Sequence, residues 1–292
     1  MLLLLVAAVA CGDGPVLTLG DADPPRFRFG PPELVVELSV SAKTDNPSLT
    51  EDMLEIYFTS ERNGGPADIF VAERTDRALP FGPAQWVEEL SGPGVETSPA
   101  VSADGLAIWF ASDRIGGQGG LDIWLSMRAS RADPWSAPEN LDVLSSAGND
   151  IPRPPGQRAR VMPMASDVDT PPFYQIQLAE RGDAQVSFDA PVAVPELSFP
   201  EESTVDAFLT DDGLTLFYVS GPAFGPADLF VATRRSTADA FERPTLIEEL
   251  SSPADERDPW LSPDGRELFF SSDRSGEYDI YVATVEREPP TF

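Results

Sequence analysis

One phrase returns along the 292-residue chain at a nearly constant interval. LEIYFTSERNGGPADIFVAER (Leu54–Arg74) is echoed by LAIWFASDRIGGQGGLDIWLSMR (Leu106–Arg128), by LTLFYVSGPAFGPADLFVATR (Leu214–Arg234) and by RELFFSSDRSGEYDIYVATVE (Arg266–Glu286). The aspartate before the second apolar run is Asp68, Asp122, Asp228 and Asp279, at spacings of 54, 106 and 51. The double interval predicts a worn copy between, and Arg160–Arg181 supplies it, with Gln175 at the aspartate position. A second marker keeps the phase: Phe29, Phe81, Trp135, Phe188 and Phe241, each followed within three residues by proline, spaced 52, 54, 53 and 53. A unit of this size cannot bury its apolar face alone and must stack on its neighbours, so the repeat dictates the architecture.

Each unit holds four short runs that read as strands. In the last copy they are Thr245–Leu250, Trp260–Ser262, Glu267–Ser272 and Asp279–Thr284. They are rich in Ile, Val, Phe, Trp and Tyr, as strands buried between sheets are. Turns such as Ser262-Pro-Asp-Gly265 and Ser272-Asp-Arg-Ser-Gly276 separate them, and the 30 Pro and 22 Gly favour many turns over long helices. Four strands per unit is the arithmetic of a β-propeller blade. The expectation is an all-β, five-bladed β-propeller closed by an N-terminal strand. Glu33–Leu38 completes a last blade built from Trp260–Thr284, leaving no splayed seam.

Pro259–Ala283, PWLSPDGRELFFSSDRSGEYDIYVA, closely resembles the WD40-like PD40 repeat, and Ser102–Ser126 matches it well. The first copy has Asp52-Met53 for Asp-Gly, the fourth has Gly221-Pro222 for Asp-Arg, and the third has lost both motifs. That repeat forms the propeller of TolB and of many periplasmic and outer-membrane lipoproteins. The resemblance covers nearly everything from Phe29 to Thr284 and implies the fold. It implies little about activity, since propellers host enzymes, binders and scaffolds alike. TolB also carries a separate N-terminal domain of which this sequence shows no sign, so its role does not transfer.

Met1–Ala10 is an apolar run, MLLLLVAAVA, that ends at the only cysteine, Cys11. It is shorter than the roughly 20 apolar residues a membrane-spanning helix needs, and reads as a secretory signal. Small Ala10 and Gly12 flank Cys11, which resembles a bacterial lipobox; the resemblance implies cleavage before Cys11 and lipid attachment to it. Ala8 stands where leucine is usual, and no Lys or Arg precedes the run. The expected domains are 1–11 signal and lipobox, 12–28 a flexible tether, and 29–292 the propeller. The expected address is the bacterial envelope, at the periplasmic or outer-membrane surface, with membrane contact through the lipid alone.

Twenty Lys and Arg against 49 Asp and Glu give a net charge of −29, which repels phosphate backbones and argues against nucleic-acid partners. The chain has no His, so Ser-His-Asp and Cys-His catalysis are excluded, and one Cys excludes an internal disulfide framework.

The turn residues Asp113-Arg114, Asp273-Arg274, Glu61-Arg62, Asp104-Gly105 and Asp264-Gly265 recur in several units and are read as blade-building devices, like Asp68 and its equivalents. The residues entering the inner strands are more informative. Asp45, Asn46, Glu96, Asp150, Asp206, Glu256 and Asp258 are expected to gather at one mouth of the channel. They form either a solvated acidic rim or a site for Ca²⁺ or a cationic ligand group. A carboxylate pair among Asp45, Asp206 and Asp258 would also serve a glycoside hydrolase, which needs no His. The worn third copy carries six prolines and Arg153, Arg158 and Arg160; it should pair poorly, and its arginines are a patch for an anionic partner or a region under weak constraint. The reading that follows is a non-catalytic, monomeric, lipid-anchored scaffold that binds an envelope protein or cell-wall glycan without a cofactor. A carbohydrate-active hydrolase is the alternative.

Overall fold

The computed structural model describes residues 26–182, 187–242 and 244–288. Five small antiparallel sheets stand around a common axis. Blade 1 runs outward through Thr44–Leu49, Glu55–Ser60, Asp68–Glu73 and Gln85–Trp86, and blade 2 through Glu96–Val101, Ala107–Ser112, Asp122–Met127 and Glu139–Asn140. Blade 3 is Asp150–Pro152, Val161–Ser166, Gln175–Glu180 and Val192–Ala193. Blade 4 is Ser203–Leu209, Thr215–Gly221, Asp228–Thr233 and Thr245–Leu246. Blade 5 is Glu256–Leu261, Glu267–Ser272 and Asp279–Glu288, with Glu33–Leu34 as its outermost strand.

The ring therefore closes through both chain regions: Glu33 pairs with Val282 and Leu34 with Tyr281. The closing strand is shorter than Glu33–Leu38, because the chain turns at 36–38 and Leu38 N–H bonds to the Val35 carbonyl. The tether boundary at 28 also needs correction. Arg26–Phe29 is a strand, paired with the end of Asp279–Glu288 through Arg26↔Glu288 and Phe29↔Val285. Phe27 and Phe29 lie against Phe217 of blade 4, with ring centroids 5.3 and 6.4 Å away, so apolar burial orders this ribbon.

Five apolar clusters fill the five interblade interfaces. The seam between blades 5 and 1 is as well filled as the others: Leu49, Ile56 and Phe58 pack with Trp260, Phe269 and Ile280. Burial on both faces is why the strands read as continuous apolar runs.

Blade 3 pairs better than its prolines suggest. Val161–Ser166 and Gln175–Glu180 match in register over their whole lengths. Pro163 is accommodated there, and the irregularity is confined to the inner strand, which stops at Pro152 and gives way to a short helix, Gly156–Ala159.

Candidate functional site

Four inner strands share a local device. Asn46, Ser98, Asp206 and Asp258 all adopt positive φ, between 52 and 58°, and each sits at a register shift in its blade. Such a bulge re-aims one side chain, here toward the ring axis. Three of these residues precede proline (Pro47, Pro99, Pro259) and short polar side chains tolerate the left-handed region best. Blade 3 has Pro152 at the equivalent position, whose ring fixes φ negative. The bulge cannot form, the register continues unbroken, and Arg153 enters the axis instead.

Arg153 is 3% exposed and joins four blades. Its Nη1 donates to Asn46 Oδ1 at 3.1 Å and Asp258 Oδ1 at 3.2 Å, and stands 3.7 Å from Asp206 Oδ1. Asn46 N–H donates to Asp258 Oδ2 at 3.1 Å, and the Ser98 hydroxyl donates to Asn46 Oδ1 at 2.9 Å, bringing in the fifth blade. Asp45 is bridged at 2.9 Å by Lys43. Burial raises the Asp45 carboxyl above its ordinary range, with Lys43 opposing. Burial, then the Asp258 charge, pushes Asp206 up to about 7 against the pull of Arg153.

The structure thus brings Asp45, Asp206 and Asp258 together, but as a buried cluster with its own cation rather than an open rim. Glu96 and Asp150 are not among them, and this corrects the expected grouping. They occupy the strand position two residues before Ser98 and Pro152 and turn into their own blades. Glu96 accepts from Arg114 at 3.0 Å and from the Ser112 hydroxyl at 2.9 Å, and Glu256 does the same with Arg274 and Ser272. Asp150 accepts from the Ser146 N–H and hydroxyl; burial raises its pKa and those bonds lower it. Among the described residues no group of three or more Asp, Glu or Cys side chains is arranged to hold a metal ion.

The repeated turn residues serve the blades. Arg62, Arg114 and Arg274 each donate through Nε to the serine two residues before and through Nη2 to a carbonyl of the incoming loop (Leu38, Leu90, Leu250). Asp113 and Asp273 accept backbone N–H bonds from Val95 and Asp255. Asp104 and Asp264 accept from Ser102 and Ser262 hydroxyls inside their turns, where Gly105 and Gly265 take φ of 74 and 68°. Two of the third copy's arginines are far apart in role: Arg153 is in the axis, while Arg160 is exposed at the opposite mouth; the Arg158 side chain lies outside what the structure describes. Cys11 lies outside the described residues.

A further repeated set, not evident from the sequence motifs, is Arg74, Arg128, Arg181 and Arg234. Each directly follows a third strand, stacks on the phase-marking aromatic (Phe81, Trp135, Phe188, Phe241) at 4.3 to 4.5 Å, and donates through Nε to a backbone carbonyl between the first and second strands (Met53, Gly105, Ala159, Gly213). Their constant phase was the available signal.

At the other mouth, where the inner strands end, lies a cavity of 1110 Å³. Trp109, Phe208, Trp260, Pro154 and Pro155 line it, with the turns around Asp104, Asp212 and Asp264 at its edge. The cavity lies beside the missing second half of the blade 3 inner strand: the other inner strands reach Leu49, Val101, Leu209 and Leu261, all in its wall, whereas the third stops at Pro152. The worn copy opens a recess in an otherwise five-fold ring.

No protein-family model matches the chain, and no curated protein matches it. Solved structures do. TolB from Acinetobacter baumannii superposes with a TM-score of 0.53 at 17% identity, over 87% of this chain and 57% of that one. The chain thus spans little more than half of that protein. An endo-arabinase from Bacteroides thetaiotaomicron VPI-5482 gives 0.59 at 14% identity, over 91% and 100%. The catalytic domain of the Coprinopsis cinerea GH62 alpha-L-arabinofuranosidase gives 0.56 at 11%, over 89% and 97%. At these identities the shared property is the propeller fold.

Proposed function

We propose that the chain is a non-catalytic, lipid-anchored propeller of the bacterial envelope that binds a protein segment or cell-wall glycan in the recess left by blade 3. The cavity of 1110 Å³ carries this reading. It is large enough for a small ligand or a stretch of polymer, and its mixed aromatic and polar wall suits either. Its origin in the least regular blade fits a binding recess rather than a structural necessity. The membrane address rests on Cys11 and the apolar run before it. Titrating muropeptides, arabino-oligosaccharides and a peptide library while following tryptophan fluorescence tests the binding. Saturable changes abolished by Ala107→Trp, which fills the recess, support it; no change with any of them overturns it. Mass spectrometry of the envelope-purified protein, with Cys11→Ser as control, tests the anchor.

One observation favours a hydrolase instead: Asp206, pushed up to about 7, stands beside Asp258 across a shared guanidinium nitrogen. An acid of that strength next to a second carboxylate suits glycoside hydrolysis. Against it, both carboxylates are buried, at 5 and 2% exposure, and engaged with Arg153. Release of reducing ends from arabinan, lost in Asp206→Asn and Asp258→Asn, would reverse the order of the two readings.

A further inference from the structure

We propose that the axial cluster is a proton-linked latch on the recess: Asp206 takes up a proton to set the recess wall, and its ionisation loosens that wall. The proposal rests on the recess being a binding site. Both regions are built from the same three strand segments. Arg153 is followed directly by Pro154 and Pro155, which line the recess. Asp206 lies two residues before Phe208, and Asp258 two before Trp260; those rings meet at 6.1 Å in the wall. Each axial side chain is therefore tied to the wall through a bulge or a proline pair, with no loop between to absorb a shift.

The charge balance makes the cluster titratable. Lys43 pairs with Asp45, and Arg257 Nε is engaged by Asp255 at 2.7 Å. Arg257 also faces Asp206, so three cations, Lys43, Arg153 and Arg257, stand against four carboxylates, Asp45, Asp206, Asp255 and Asp258, with Arg153 in direct contact with both Asp206 and Asp258. Ionising all four leaves one negative charge in excess at a buried site, which is costly, and a proton on one of them removes it. The other groups around Asp206 are Asp45 from blade 1, Arg257 beside Asp258 in blade 5, and Tyr174 at the edge of blade 3. The carboxylates oppose ionisation, and the arginines reduce but do not abolish that opposition. With Asp206 protonated, Arg153 is matched by one carboxylate and Asn46, and the wall is set. As Asp206 ionises, its repulsion from Asp258 spreads the two bulges that carry Phe208 and Trp260.

Linkage makes the effect reciprocal: whatever binds the set wall raises the proton affinity of Asp206, and affinity falls as pH rises. The test uses the full chain, with the dye 1-anilinonaphthalene-8-sulfonate as probe and hydrogen exchange at the Arg153 and Arg160 amides as an independent readout. From pH 6 to pH 8 the dye affinity is expected to fall about tenfold, the factor equivalent to one pH unit of differential proton affinity. Exchange at both amides is expected to quicken beyond its intrinsic pH dependence. Both changes should vanish in Asp206→Asn, and in Arg153→Lys should be altered in midpoint. Equal dye affinity at the two pH values, or a wild-type pH dependence retained in Asp206→Asn, overturns the latch and leaves the binding reading intact. Should the dye bind at neither pH, exchange decides: pH-dependent exchange that Asp206→Asn removes supports the proton-linked wall, exchange that Asp206→Asn leaves unchanged overturns it, and the binding reading is judged separately by the muropeptide, oligosaccharide and peptide titrations. Should Asp206→Asn not fold, unchanged exchange in the wild type alone is sufficient to reject the proposal.

Discussion

Arginine carries much of the architecture of an acidic protein. The set Arg74, Arg128, Arg181 and Arg234 pins each inner turn to the aromatic that opens the next unit. Arg234→Ala removes a charged hydrogen bond and a cation–π contact, and should cost about 2 kcal/mol by denaturant unfolding. Asp206 makes the opposite contribution at neutral pH. Its pKa is about 7 when folded against an ordinary 3.8, so the folded state binds the extra proton between those values. The associated stability is full below about pH 4 and is lost as pH rises through 7, at up to about 1.4 kcal/mol per unit. Melting temperature should therefore decline from pH 5 to pH 8 more steeply in the wild type than in Asp206→Asn. The markers Phe81, Trp135, Phe188 and Phe241 stand out in the sequence, whereas their arginine partners do not: each lies seven residues before its aromatic, across a turn.

The elements that depart from the repeat are the two that shape the molecule. Blade 3 gives up half an inner strand, and Arg153 takes the place of a bulge. Arg153→Ala strands two buried carboxylates and should destabilise by about 3–5 kcal/mol, partly rescued at acid pH where one of them is neutral. The Arg26–Phe29 strand is the other departure. Its Arg-Phe-Arg-Phe pattern alternates as a half-buried strand does, but four residues after a proline-rich stretch are too few for periodicity to stand out. Removing residues 26–34 takes away both the ribbon and the closing strand. It should leave blade 5 open to limited proteolysis near Tyr281, while Phe27→Ala alone costs about 1–2 kcal/mol through its lost contact with Phe217.

The whole chain carries a charge of −29, most of it on the ring, so compaction works against self-repulsion. Half-molar NaCl should raise the melting temperature by a few degrees, and by screening alone, since the buried axial pairs are shielded from salt. The number of blades, their four-strand build and the closure at Glu33 follow from the sequence because spacing, turn chemistry and apolar runs are local properties repeated five times. Which carboxylates share a point in space is not a local property. Glu96 and Asp206 look alike as acids entering inner strands, yet a positive φ at Asp206 aims it at the axis, while Glu96 turns back to Arg114. The pairing of Arg153 with residues more than 100 positions away, and the recess beside its short strand, exist only once the ring has closed. Symmetry was written along the chain; the asymmetry that gives the molecule its site came from where five imperfect copies meet.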